Sequence, residues 1–96
     1  MKPTVVELVG KLEALGSGRQ IADFFQREGV RGFRDDGVSC PVARYLRYET
    51  GSWDVLACAV FVQLGHGAIY LRDDSPITEF IVNFDAGAYP ALEVTP

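Results

Sequence analysis

The stretch from Trp53 to Leu71 constrains this chain most. It contains the only long unbroken apolar run, Val55-Leu56-Ala57-Cys58-Ala59-Val60-Phe61-Val62, then Gly65-His66-Gly67, then Ala68-Ile69-Tyr70-Leu71. Eight apolar residues fit either a strand covered on both faces or a buried helical segment, and periodicity alone does not choose. The β-branched and aromatic members at 60–62, the short length and the flanking glycines favour a strand. The return after Gly65-His66-Gly67 predicts an antiparallel hairpin. The run is also far too short to cross a bilayer as a helix.

Four helical patterns surround this hairpin. Residues 5–15 carry Val5, Leu8, Val9, Leu12 and Leu15 at helical spacing, with Thr4 and Glu7 as a capping box and Gly16 as the stop. Residues 18–28 repeat the pattern, with Ser17 and Gln20 as a second capping box, an Asp23–Arg27 pair at i,i+4, and Gly29 followed by Val30 as a Schellman-type end. Residues 31–40 read as a loop or short extended piece, with Phe33 and Val38 as anchors. A third helix opens at Pro41 with Cys40 as its N-cap, because a residue before proline is pushed out of helical geometry. Ser75-Pro76 opens the fourth, whose stripe is Ile77, Phe80, Ile81 and Phe84. The expected fold is therefore one α+β domain over residues 1–96. Its order is α-α-α-β-β-α, with helices packed on a two-stranded antiparallel hairpin. A third short strand at 30–34 is compatible with the pattern, and residues 91–96 read as a loose tail. So apolar an edge strand should be covered, or paired with a second copy as a homodimer.

Charge narrows the partners. The formal net charge is −4, which opposes nonspecific attraction to nucleic acid or anionic membrane. The distribution is uneven, with six arginines between Arg19 and Arg47 and no Lys or Arg after Arg72. No signal-peptide pattern opens the chain, and Cys40 and Cys58 are read as free thiols in a reducing cytoplasm.

Few residues carry a chemical signal. Cys40 at a helix N-terminus could see its thiol pKa lowered, and His66 is the only histidine that could serve it as a base. The plainer reading makes Cys40 a small cap, His66 a solvated turn residue and Cys58 core filling. One histidine and two separated cysteines do not form a zinc spacing, and Asp35-Asp36 and Asp73-Asp74 lack calcium-loop spacing. No phosphate-cradling or nucleophile-elbow motif is present. Hence no cofactor, metal or catalytic residue is assigned, and no enzyme activity is expected.

The outward face of the third helix carries more weight. Arg44, Arg47 and Tyr48 group two guanidinium groups with a phenol, residue types enriched at binding hot spots. Arg31 and Arg34 lie just upstream and join them as candidate partner-binding residues. Three helices followed by a β-hairpin is also the order of a winged helix, with the helix from Pro41 as recognition helix and Arg31 and Arg34 on phosphates. The acidic net charge and the apolar hairpin oppose that alternative.

The segments Ile21-Ala22-Asp23-Phe24-Phe25, Gly29-Val30-Arg31-Gly32, Cys40-Pro41-Val42-Ala43-Arg44-Tyr45-Leu46 and Phe84-Asp85-Ala86-Gly87-Ala88-Tyr89-Pro90 resemble a group of small uncharacterised proteins of actinobacteria and their bacteriophages. The motifs C-P-V-A-x-Y-L and F-D-A-G-A-Y-P carry the likeness, which leaves Met1 to Leu15 outside it. It implies a phage or phage-related setting and says nothing about activity or mechanism. Physically, F-D-A-G-A-Y-P is a helix stop: Phe84 completes the stripe, Gly87 permits the left-handed turn, and Pro90 prevents the helix resuming. The reading is a small cytoplasmic protein that binds a host or partner protein. The alternatives are a winged-helix-like nucleic-acid binder and a thiol enzyme using Cys40.

Overall fold

The computed structural model describes residues 2–65 and 67–94. Helix α1 spans Val5–Ala14, α2 Gly18–Glu28, α3 Pro41–Thr50 and α4 Pro76–Asp85. Between α3 and α4 lie strands β1 (Val55–Ala57), β2 (Phe61–Leu64) and β3 (Gly67–Tyr70). A short 3-10 turn, Pro90–Leu92, follows α4. The result is an α+β domain of four helices and a three-stranded antiparallel sheet in the order β1-β2-β3.

The helix starts follow their caps. Glu7 N–H donates to Thr4 Oγ1 and Thr4 N–H donates to Glu7 Oε1, both at 3.1 Å, which closes the first capping box. The second box is only half formed. Gln20 N–H donates to Ser17 Oγ, but the Ser17 hydroxyl turns to Gln20 Oε1 instead of its backbone being capped. Asp23 pairs back with Arg19 at 3.3 Å, not forward with Arg27. Gly29 adopts φ 74 and Val30 N–H donates to Phe25 O at 2.9 Å, the expected Schellman end.

The core is a file of rings. Phe25 packs on Tyr45 and Phe80 at 5.3 Å, and Phe80 stacks on Phe84 at 5.8 Å and on Tyr89 at 5.4 Å. Ile77, Phe80, Ile81 and Phe84 of α4 are buried as one stripe against α2 and α1. Helix starts are also tied across the core. Gly18 N–H at the start of α2 donates to Glu79 Oε1 of α4 at 2.7 Å, and the Ser75 hydroxyl at the start of α4 donates to Glu13 Oε2 of α1 at 3.1 Å.

The apolar run departs from the expected single strand. It forms β1 and β2 in sequence, reversing at Ala59-Val60, where Cys58 N–H donates to Phe61 O at 2.9 Å. The Thr78 hydroxyl on α4 donates to Ala59 O at 2.7 Å and fixes this corner to the helix layer. Folding the run back places Val55, Ala57 and Val62 together on the core face, which one straight strand could not do. The second hairpin is tighter than expected. Leu64 pairs with Gly67, which itself belongs to β3, and Gly65 takes φ 51. His66, read as a solvated turn residue with a base for Cys40 as the alternative, lies outside the described residues.

The sheet has one covered edge and one open one. Ala57 N–H donates to Gly37 O at 2.9 Å, so the 35–38 loop closes the β1 side. β3 is last in the sheet, and the anticipated pairing with a second copy would have to use its outer edge.

Three further expectations are corrected. No strand forms over 30–34. Gly32 alone makes a parallel bridge to Glu93, with Gly32 N–H to Leu92 O at 2.9 Å and Val94 N–H to Gly32 O at 3.0 Å. The segment read as a loose tail is thus held as far as Val94, because Leu92 buries its side chain, at 2% exposure, and its backbone finds a partner. Phe33 and Val38 do not anchor their loop, being 45% and 46% exposed. Asp36 holds it instead, accepting from Val38 and Ser39 N–H, while Asp85 accepts from Asp35 N–H at 2.9 Å.

Candidate partner-binding surface

Helix α3 presents its residues as its periodicity requires. Pro41, Val42, Ala43, Tyr45 and Leu46 are buried, and the helix rests on β1. Arg44 and Tyr48 consequently point to solvent, Tyr48 at 85% exposure, while Arg47 is half-buried. Gly51 at φ 75 ends the helix and turns the chain outward. Ion pairs among the described residues join Arg19 to Asp23, Arg34 to Glu93 and Arg72 to Asp74. Arg31, Arg44 and Arg47 have no carboxylate partner within that set.

A cleft of about 270 Å³ separates the end of α2 from α3 and collects Arg31, Arg44 and Tyr48, with Glu28 and Glu49 also lining it. Four of the five sequence-derived residues therefore meet on one side of the molecule: Arg31, Arg44, Arg47 and Tyr48. Arg34 does not join them. Its Nε lies 3.2 Å from Glu93, and its guanidinium reaches over Gly87, so the C-terminal segment draws it away.

The residue missed from the sequence is Trp53. It is 91% exposed and shares a second cleft with Arg47 and Tyr48. A signal existed: a lone tryptophan in a turn directly after a glycine helix stop, where loops carry binding residues and Trp is a hot-spot type.

Cys40 behaves as a cap. Its Sγ accepts from Ala43 N–H at 3.4 Å, its own thiol leans on Ala57 O at 3.9 Å, and it is 2% exposed. Burial pushes its pKa from 9.0 up to about 11, against the amides of Ala43 and Val42, with Asp85 and Asp36 adding to the rise. The lowering expected at a helix N-terminus is thus outweighed by desolvation. The folded pKa exceeds the unfolded one, so Cys40 stabilises the fold below pH 9 and that contribution fades as pH rises towards 11. The expected loss over that window is about 3 kcal/mol. Urea melts at stepped pH measure it, and Cys40→Ala should flatten that part of the profile.

Tyr45 is also buried, and its hydroxyl makes no hydrogen bond among the described residues. Burial raises its pKa, and nearby Lys11, which sits 5.0 Å over the Phe24 ring, draws it back. Both cysteines are free. Among the described residues no three His, Cys, Asp or Glu gather as a metal site, and no helix is long and apolar enough to cross a membrane. Compared with family models, curated proteins and solved structures, the chain matches none of them.

Proposed function

We propose that this is a small cytoplasmic interaction protein, of the phage or phage-related setting its motifs imply, which acts by occupying an acidic surface of a partner protein through the outer face of α3. The observation carrying this reading is the arginine group Arg31, Arg44 and Arg47 beside a solvated Tyr48, with no carboxylate among the described residues in an ion pair with these guanidinium groups. Unpaired arginines beside an exposed ring provide charge-assisted hydrogen bonds and a flat contact area at once. Catalysis gains no support from the buried, high-pKa thiol of Cys40.

The test is the double variant Arg44→Glu with Arg47→Glu. Partner capture from the natural host by the tagged chain is expected to fall about 100-fold in apparent affinity, while stability stays within about 0.5 kcal/mol. Capture unchanged by the double reversal removes this face from consideration. The nucleic-acid alternative is separated by chromatography on heparin and duplex DNA. β2 and β3 carry no Lys or Arg, so weak, salt-insensitive retention is expected; retention that falls steeply with salt would favour the alternative.

A further inference from the structure

We propose that the cleft between Tyr48 and Trp53 receives a proline-bearing segment of the partner in the polyproline II conformation, with a carboxylate of that segment reaching Arg44. This rests on the partner-binding reading above and specifies the partner's chemistry.

Trp53 and Tyr48 are the two most exposed large apolar side chains among the described residues. They line one cleft of about 380 Å³, together with Gly51, Ser52 and Arg47. Neither ring stacks on another aromatic among the described residues. The left-handed turn at Gly51, which ends α3, brings Trp53 onto the same cleft as Tyr48.

The cleft's side chains offer ring faces, one hydroxyl from Ser52 and one guanidinium from Arg47. An ordinary peptide segment entering it would bring an N–H and a C=O per residue and find few partners for them, at the cost of lost hydration. Proline has no N–H to satisfy. The polyproline II helix makes no internal hydrogen bonds and is largely formed before binding, so it loses little on entry. Aromatic-lined grooves recognise proline-rich segments for these reasons.

Two other occupants fit less well. A ligand cation would meet Arg47 at the cleft and Lys2, whose ammonium lies against Gly51. A single nucleic-acid strand could stack its bases on the rings, but it carries a charge on every nucleotide and would pass Glu28, Glu49 and Asp54 as well as the cationic groups, whereas the proline segment needs one carboxylate placed at Arg44. Tyr48 is the wall shared with the cleft that holds Arg31 and Arg44. A carboxylate about three residues from the proline, roughly 9 Å along the segment, could pass over that wall and reach a guanidinium.

Trp53 is the only tryptophan, so its emission reports occupancy directly. The probe is a blocked synthetic peptide with prolines at its centre followed by two glutamates. It is compared with the same peptide carrying alanine at each proline, and with oligothymidylate. The proline peptide is expected to shift Trp53 emission to the blue and saturate, and the alanine peptide to bind at least about tenfold more weakly. By calorimetry, Tyr48→Ala and Trp53→Ala should each weaken the proline peptide about thirtyfold with the melting curve unchanged. Equal affinity for the two peptides overturns the proline assignment and leaves the acidic-partner reading standing. Saturable binding of oligothymidylate with both peptides silent overturns both.

Discussion

Phe80→Ala is expected to lower folding stability by about 4 kcal/mol, the largest loss from any single truncation in this chain. Phe80 is fully buried and sits at the junction of the aromatic file, touching Phe25, Phe84 and Tyr89. Truncation leaves a cavity bounded by rings from α2, α4 and the segment after α4. Those elements are cross-tied at Gly18–Glu79, so the walls have little freedom to collapse. Small domains hold only about 5–15 kcal/mol in total, so this one change should remove a large share. Urea unfolding measures it, with the midpoint moving and the m-value constant if the denatured state is unaffected. Phe25→Ala should cost nearly as much, and the double variant less than the sum, because both truncations empty one space.

Gly32→Ala should cost about 3 kcal/mol through a different cause, a steric one. A Cβ on Gly32 would stand 2.4 Å from Ser39 O and 2.5 Å from Pro41 N, both backbone atoms that cannot swing aside. The loop must therefore shift, and with it the two hydrogen bonds that bind Leu92 and Val94 to Gly32. Two readouts separate this from a general loss of core. Hydrogen exchange should rise first at Gly32 and Val94, and Arg34 should lose its pairing with Glu93. Exchange that rises uniformly, or a midpoint that does not move, would show the loop absorbing the methyl group without strain.

Much of the helical frame was legible in the sequence because helix ends are local. Thr4, Ser17, Cys40 and Ser75 act as caps within four residues of the amides they satisfy, and Gly29 and Gly51 end their helices in left-handed geometry. What escaped was non-local. The apolar run carries no turn residue at Ala59-Val60, and its corner is fixed by Thr78, nineteen residues on. Nothing local to Asp85 reveals that its carboxylate accepts from the loop amide of Asp35, fifty residues earlier. The C-terminal segment looked loose because its partner, Gly32, lies sixty-one residues earlier in the chain.

The candidate surface divides the same way. The spacing of α3 exposed Arg44, Arg47 and Tyr48 from the sequence alone, since burial of Val42, Tyr45 and Leu46 leaves them one direction. Arg34 was lost to Glu93, a pairing no local pattern reveals. Trp53 was gained from a turn whose direction depends on where β1 pairs.

The bridge from Gly32 to Glu93 also sets an order of events during synthesis. In the strip of chain bearing Arg31 and Arg34, residues 92–94 hold Gly32 and Arg34, while Phe33 N–H donates locally to Ser39 O. A ribosome adds residues far more slowly than local helices form. A nascent chain can therefore coil α1 to α3 well before that strip has its anchor. The packing of this strip is therefore complete only once Val94 has been made.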